Sequence, residues 1–340
     1  MRILFVSTVI CILFLFTSDV FAHHSFAPHF DRDQPVNISG TITEYEQRNP
    51  HAYLLIRAED ADGRIKEWRC ETHGYTQLAR NGITPDMLTV GTQVGISGSQ
   101  HRRDPNMCFF DMLYFEDGRE LSVNGPRNQQ QETEEQRDSI FAAWMVLPSA
   151  GTTSSGPQFM MDFMTPAGEA AAAQYHPLVD DPAYLCSPVA IRRAWAAPDT
   201  PLSISTLGDD ILIKHEWMDI ERIIHMNQDV VPEGTPDTVL GYSRGHFEGD
   251  TLVIETRNYS SGVINQYVTI EGRPLTGVMH SNALRTVERV LFDAERNRLT
   301  MSLNHFDEEF FTRDFPTYSR EYRPTNTPIE PFGCIPEILK

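Results

Sequence analysis

The sequence is short of basic residues. It has 28 lysines and arginines against 47 aspartates and glutamates, which gives a formal net charge of −19 over 340 residues. A nucleic-acid phosphate backbone requires a basic surface, so this balance argues against a nucleic-acid partner. Beyond its first residues the chain also has no apolar run of the roughly 20 residues that span a bilayer, and no membrane span is expected.

Sequence signatures of several common enzyme classes are also absent. The chain contains no Walker, GxGxxG or HExxH sequence, which argues against the nucleotide-binding and metalloprotease sites that use them. No CxxC spacing occurs, which argues against a zinc site. The sequence therefore indicates location and architecture better than chemistry.

The first 22 residues have the pattern of a secretory signal peptide. Arg2 supplies a positive charge, Ile3 to Phe16 is almost wholly apolar, and Ala22 ends a small-residue cleavage site. Cys11 lies within the apolar stretch and is expected to be removed with it. The mature protein is therefore predicted to be periplasmic or secreted.

Four cysteines remain after that cleavage, and an exported protein favours disulfides between them. Of the three possible connectivities, we expect Cys70 to pair with Cys108 and Cys186 with Cys334. Each pair then lies within one predicted domain.

The pattern of strands and turns predicts a mainly β protein of two domains. The predicted segments are a signal peptide over 1–22, a first domain over 23–123, a charged linker over 124–158, and a second domain over 159–340. In the first domain, five strands with a helix between the third and fourth are typical of an OB-like barrel.

The second domain begins with a helix at Thr165-Pro166, where a capping residue precedes a proline. Eight strands with tight turns then follow Pro201, which favours a closed antiparallel barrel of lipocalin-like architecture. The interior of an eight-stranded barrel is just large enough for side chains or one small ligand.

Alternation along these strands places several polar side chains on otherwise apolar faces. The chief examples are His215, Arg222, Glu288, His305 and Arg320. A buried charge is costly without a partner, so we expect Arg222 and Glu288 to pair.

The predicted ligand-binding residues are Arg222, Glu288, Trp217, Arg320 and Tyr318. Three histidines, His215, His305 and His280, are candidates for proton transfer near neutral pH, and His280 is placed in a loop over the barrel mouth. A salt-bridge network with a purely structural role is the alternative.

The mature N-terminus suggests a metal site. If cleavage follows Ala22, His23 provides a free amine and a ring nitrogen, and His24 with His51 or His29 adds further imidazoles, which suit copper. A terminus that carries histidines without binding metal is the alternative.

Two stretches resemble known families. The segments His23-His24-Ser25-Phe26-Ala27 and Asn49-Pro50-His51 resemble a family of exported bacterial domains of unknown function. The segments Gly241-Tyr242-Ser243 and Glu248-Gly249-Asp250-Thr251 resemble a family of uncharacterised secreted bacterial proteins. Neither resemblance implies an activity.

We therefore expect an exported protein that binds a small apolar or aromatic molecule inside the second barrel. The alternatives are a cofactor-independent lyase or isomerase that uses the same cavity, and a copper-binding protein organised around His23. No cofactor is expected except in the copper alternative.

Overall fold

The computed structural model describes residues 26–59, 62–125, 135–147, 160–177, 179–197, 199–268, 276–315 and 317–336. These form a mainly β protein with two lobes. The predicted signal peptide lies outside the described residues. Within the described ranges, every helix is too short or too polar to cross a bilayer.

The N-terminal lobe is one strongly curved sheet. Its elements are α1 (Phe26–His29), β1 (Phe30–Glu46), β2 (Tyr53–Glu59), β3 (Ile65–Glu71), α2 (Tyr75–Arg80), β4 (Gln93–His101), β5 (Met107–Phe115) and β6 (Glu120–Ser122). The strand order is β3-β2-β1-β4-β5-β6, and β3 also pairs in parallel with β5. Helix α2 is the helix that the sequence predicts between the third and fourth strands, and Leu78 is the residue it buries.

The C-terminal lobe contains the closed barrel. Its elements are β7 (Ala143–Val146), α3 (Pro166–Gln174), α4 (Ile191–Ala196), β8 (Pro201–Leu207), β9 (Asp210–His215), β10 (Ile220–His225), β11 (Tyr242–Glu248), β12 (Thr251–Arg257), β13 (Gly262–Val268), β14 (Thr276–His280), β15 (Arg285–Asp293), β16 (Arg298–Phe306) and β17 (Tyr318–Pro324). The strand order around the barrel is β10-β11-β12-β15-β16-β17-β7-β8-β9.

Over the described residues this barrel has nine strands rather than the eight expected. The additional strand, β7, lies in the segment 124–158 that the sequence assigned to a linker. It pairs with β17 and β8, and its Trp144 is fully buried in the barrel core. The short apolar run around β7 therefore reflects a buried strand, which its charged flanks concealed.

Burial along the barrel strands follows the predicted alternation. On β10, Ile220, Arg222 and Ile224 are buried while the residues between them are exposed. On β16, His305 continues the buried row of Leu299 through Leu303. The pattern of period two identified the inner face correctly because these strands are covered on one side only.

Besides β7, three elements of this lobe were not predicted, namely helix α4 and the paired strands β13 and β14. Helix α4 inserts Trp195 into the barrel core, and its six residues are too few to give a helical period in the sequence. His280 ends strand β14, which pairs with β13. The prediction of a loop at His280 was therefore wrong, because the tertiary structure supplies a partner strand.

Both predicted disulfides are present. Cys70 and Cys108 are opposite each other on the parallel pair β3 and β5. Cys186 is linked to Cys334 across 148 residues. The chain-entropy model assigns about 5 kcal/mol to closing a loop of that length. The backbone of Cys334 also forms an isolated β-bridge with that of Asn49, so the last described segment of the chain contacts both lobes.

Candidate functional site

A pocket lies between the two lobes, with a cavity volume of about 90 Å³. The N-terminal lobe contributes the loop before β2 and the start of α2. The C-terminal lobe contributes α4, the turn after β9, the start of β17 and the last described segment. None of the described residues that line it is acidic. Its charged or imidazole side chains are Arg192, Arg193, Arg320, His51 and His73.

Arg192 and Arg320 share one aromatic ring in this pocket. Their guanidinium carbons lie 4.5 Å and 4.3 Å from the ring centroid of Tyr318, within the range of cation–π attraction. Neither arginine has a carboxylate within ion-pair distance among the described residues. Arg320 donates one hydrogen bond, from Nη1 to the Ser319 carbonyl at 3.1 Å.

Arg192 is the more unusual of the two. The residue is only 8% exposed, and its Nε has no hydrogen-bond partner among the described residues. Burial lowers the pKa of Arg192, and the nearby positive charge of Arg320 lowers it further. A buried cation without a counter-ion is costly, so this position calls for an anion.

The positive charge of the third arginine, Arg193, is neutralised by a carboxylate of the chain. Arg193 donates to both carboxylate oxygens of Asp181, at 2.6 and 3.4 Å, and its guanidinium carbon lies 5.5 Å from the ring centroid of Trp217. Helix α4 therefore presents two adjacent arginines to the pocket, of which one is neutralised and one is not.

The N-terminal lobe supplies a wall of amide and imidazole groups. Asn49 precedes a cis peptide bond to Pro50, and its Oδ1 accepts a hydrogen bond from Thr76 at 3.2 Å. Its side chain lies so close to Gly74 that a Cβ there would collide with it. This approach accounts for glycine at the start of α2.

Two histidines belong to this wall and differ in their partners. His51 Nδ1 lies 3.3 Å from Glu71 Oε1, and Glu71 Oε2 accepts a hydrogen bond from the Tyr53 hydroxyl at 3.2 Å. His73 Nε2 lies 3.1 Å from the side-chain oxygen of Asn124. One imidazole therefore faces a carboxylate and the other an amide.

Side-chain contacts fasten the two walls to each other. Arg80 of α2 forms a bidentate ion pair with Glu216, at 2.5 and 2.6 Å. Gln77, also on α2, donates to Asp199 at 2.8 Å. Glu216 is 1% exposed, so the pair is shielded from water on one side and holds α2 against the barrel.

The predicted pair of Arg222 and Glu288 lies in the barrel core, away from this pocket. Arg222 donates to Glu288 at 2.9 and 2.7 Å and to the hydroxyls of Ser243 and Thr256 at 3.0 and 3.3 Å. Trp195 Nε1 donates to Glu288 at 2.5 Å. Burial opposes the charged form of Arg222, but the Glu288 carboxylate outweighs it and raises the Arg222 pKa. This network neutralises its own charge.

The three predicted catalytic histidines are buried in the C-terminal lobe and do not line the pocket. Burial lowers the pKa of His215 and of His305 to about 3. The positive charge of Arg222 contributes to this lowering for His215, and that of Arg192 contributes for His305. Burial also lowers the pKa of His280. All three are therefore neutral near pH 7, and the role predicted for them stays a prediction.

The copper hypothesis rests on residues that are only partly described. His23 and His24 lie outside the described residues, and His51 contacts Glu71. Within the described ranges, no group of three or more histidine, cysteine, aspartate or glutamate side chains is arranged to hold a metal ion. The copper site stays a prediction.

The structure thus divides the predicted ligand residues between two places. Tyr318, Arg320 and Trp217 line the pocket between the lobes, whereas Arg222 and Glu288 lie in the barrel core. Arg192 and His73 were missed. The only signal for Arg192 was an arginine pair between apolar residues in Ile191-Arg192-Arg193-Ala194-Trp195.

Comparisons with known proteins give little functional information. Residues 12–108 match a family of unknown function, DUF6152. No curated protein matches the chain. A crystal structure of the ZRD-deleted mutant of TiaS in complex with agmatine is similar over 32% of this chain and 33% of its own, with 15% identity and a TM-score of 0.21. The chain therefore spans about a third of that structure.

Proposed function

We propose that this protein binds a small carboxylate in the pocket between its lobes, with Arg192 and Arg320 as the groups that neutralise it. One observation carries the proposal: a buried arginine with no acidic partner among the described residues faces a cavity without an acidic lining residue. In a chain of net charge −19, such a local surplus of positive charge is unlike the rest of the molecule.

The apolar part of the pocket favours a carboxylate over phosphate or sulfate. Pro50, Ala196, Ala197, Trp217 and Phe332 line it beside the arginines. Small-molecule sites combine such apolar walls with a few convergent polar groups. Arginine also matches the planar carboxylate with two parallel hydrogen bonds.

The cavity limits the size of the ligand. An engineered cavity of about 150 Å³ binds benzene, which has six non-hydrogen atoms, so a volume of 90 Å³ encloses about four. We therefore infer a short-chain carboxylate. This proposal keeps Tyr318, Arg320 and Trp217 as ligand residues and moves the ligand from the barrel interior to the space between the lobes.

The setting of this function is an exported two-barrel protein. The strand order of the N-terminal lobe, with parallel β3 and β5 and a helix between β3 and β4, supports an OB-like assignment. The closed barrel supports a lipocalin-like assignment for the second lobe. Two disulfides fit an oxidising compartment, in agreement with the signal-peptide pattern.

Calorimetric titration at low salt tests the proposal. The ligands are acetate, propionate, 3-butenoate and pyruvate, with butanamide, phosphate and sulfate for comparison. We expect the carboxylates to bind, and Arg192→Met and Arg320→Met each to weaken binding by about tenfold or more, since a hydrogen bond to a charged group contributes about 1.5–3 kcal/mol.

Arg57→Met is the matched control, because Arg57 forms an exposed ion pair with Glu67 and should leave affinity unchanged. Equal binding by wild type and by Arg192→Met would contradict the proposal. Binding of phosphate or sulfate in preference to every carboxylate would overturn the carboxylate assignment.

A further inference from the structure

We propose that the disulfide between Cys186 and Cys334 is a site of thiol–disulfide exchange, and that a dithiol reductant opens the pocket by breaking it. The disulfide fastens residues 328–336, which we call the strap, to the loop before α4. The effect on binding rests on the proposed function, since it requires a carboxylate in the pocket. The exchange itself and the opening of the strap do not require a ligand.

The two disulfides differ in their access to solvent. Cys70 and Cys108 are both fully buried in the core of the N-terminal lobe. Cys186 and Cys334 are each half-buried and border exposed residues in the chain. The rate of exchange depends on the access of an attacking thiolate to one of the two sulfurs. A reductant can therefore reach Cys186–Cys334 in the folded protein, whereas Cys70–Cys108 becomes accessible only when the lobe opens.

The exchange proceeds in two balanced steps. A thiolate of the reductant attacks one sulfur of Cys186–Cys334, so that the S–S bond breaks, a mixed disulfide forms and the other cysteine leaves as a thiolate. The second thiolate of the reductant then displaces the remaining cysteine. The protein disulfide gains two electrons and two protons and becomes two thiols, while the reductant loses the same electrons and protons and becomes a disulfide.

Few apolar contacts hold the strap apart from this disulfide. Its only buried residue is Phe332, which belongs to the same packed cluster as Trp217. The other strap residues are exposed or half-buried, and the isolated bridge at Cys334 is its only β pairing among the described residues. A segment with so few buried apolar contacts opens at a low free-energy cost. The disulfide is therefore its main restraint.

The strap joins the two walls of the pocket. The Asp219 carboxylate of the C-terminal lobe accepts from the N–H groups of Phe332 and Gly333, at 2.8 and 3.3 Å. Asn49 of the N-terminal lobe donates from Nδ2 to the Phe332 carbonyl at 2.5 Å and accepts from the Ile335 N–H at 2.8 Å. Phe332 itself lines the pocket. Displacing the strap therefore admits water, which weakens the attraction between the arginines and a bound carboxylate.

Differential alkylation tests the selectivity of the exchange. The folded protein is incubated with dithiothreitol, alkylated with iodoacetamide at set times, and digested for mass spectrometry. We expect Cys186 and Cys334 to be labelled at least about tenfold faster than Cys70 and Cys108. Equal rates, or faster labelling of Cys70 and Cys108, would overturn the assignment of the exchange site.

Amide hydrogen exchange and calorimetry compare the oxidised protein with the selectively reduced protein. Amides of residues 328–336 should exchange about tenfold faster or more after reduction, because the cross-link no longer limits the conformations of the detached strap. The Kd for propionate should rise by about threefold or more, since only the closed state holds the ligand tightly. Reoxidation should restore both values. Unchanged amide exchange in the strap would overturn the proposed opening.

Two variants sharpen this comparison. Cys186→Ser combined with Cys334→Ser should reproduce both effects of reduction, and dithiothreitol should then change neither. Asp219→Asn weakens the acceptor of two strap N–H groups. It should change amide exchange in the strap by less than about threefold in the oxidised protein, and by about tenfold in the reduced protein. Equal effects in both states would mean that the disulfide does not restrain the strap. Reversible reduction of wild type gives the same test if the serine variant does not fold.

The two proposals fail separately. Propionate binding that depends on Arg192 but is unchanged by reduction overturns the redox control of the pocket and leaves the proposed function intact. Absence of carboxylate binding by the oxidised protein overturns the proposed function. Alkylation and amide exchange then decide the exchange site and the opening of the strap by themselves.

Discussion

Two buried arginines in the C-terminal lobe show opposite solutions to the same electrostatic problem. Arg222 forms a bidentate pair with Glu288 and contacts two hydroxyls, whereas Arg192 has an aromatic ring and a second arginine beside it. The pKa of Arg222 is raised and that of Arg192 is lowered. The barrel core therefore neutralises its own charge, and the pocket between the lobes leaves that task to a ligand.

The histidines of the barrel core and of the pocket differ in the same way as the arginines. His215 and His305 lie beside arginines, and their pKa values are lowered to about 3. His51 instead faces Glu71 at the pocket. Burial alone therefore does not mark a functional site. What distinguishes the pocket is a charged group that the described chain leaves uncompensated.

The largest effect on stability is expected from breaking the ion pair of Arg222 and Glu288. Glu288→Gln leaves Arg222 buried without its counter-ion and should lower the free energy of unfolding by about 3–5 kcal/mol. Urea unfolding measures this loss. The double variant Arg222→Met with Glu288→Gln should recover part of the lost stability. A loss below 1 kcal/mol in the single variant would mean that Arg222 does not depend on Glu288 as its counter-ion.

Acid should destabilise the barrel next most strongly. Because the pKa values of His215 and His305 are depressed on folding, the unfolded chain binds more protons below about pH 6.5. Their contribution to stability is complete above that pH and falls as the pH drops towards about 3. At pH 5 the loss is about 2 kcal/mol for each histidine.

Urea unfolding at pH 7 and pH 5 checks this sign. A variant with glutamine at both positions should lose about 4 kcal/mol less between the two pH values than wild type does. If the two proteins lose the same amount, these histidines are not held neutral in the fold.

Loosening the contact between the lobes should have a smaller effect. Arg80→Met leaves the buried Glu216 carboxylate without its bidentate partner and should cost about 2 kcal/mol, because Arg80 itself is partly exposed. It should also weaken carboxylate binding, since α2 is part of the pocket wall. Arg57→Met, which removes an exposed pair, is the control, and an equal cost in both variants would argue against a special role for the lobe contact.

The smallest effect on stability is expected at Arg192. Arg192→Met removes a desolvated cation that has no counter-ion, so the free energy of unfolding without ligand should stay within about 1 kcal/mol of wild type or rise. Glu288→Gln should therefore lower the free energy of unfolding, whereas Arg192→Met should leave it nearly unchanged or raise it. A loss above 3 kcal/mol at Arg192 would mean that the chain itself stabilises this charge.

Particular residues show how far the sequence could predict the site. Alternation placed Arg222 and Glu288 on the inner face and suggested their pairing, because strand periodicity is local and one face of the barrel is buried. It also singled out Tyr318, Arg320 and Trp217, which line the pocket between the lobes. It could not identify Arg192, because α4 is too short to carry a periodic pattern and is held by packing of Trp195 in the barrel.

His51 illustrates the other limit. In the sequence it is 20 residues from Glu71, and its position near the predicted N-terminus suggested a metal ligand. The curved sheet of the N-terminal lobe brings the two side chains together and places His51 at the pocket between the lobes. Such a contact depends on the register between β2 and β3, which is not encoded in a local pattern.

The sequence by itself determined the mainly β class, the inner faces of the strands and helix α2, because hydrophobic period and turn residues are local properties. The cysteine count left three pairings open, and the expected one is formed. Only the tertiary structure decided that β7 completes the barrel, that Glu288 neutralises Arg222, and that Arg192 meets no acid among the described residues. Charge compensation is a property of distances between segments far apart in the chain, so it becomes visible only when the lobes are packed together.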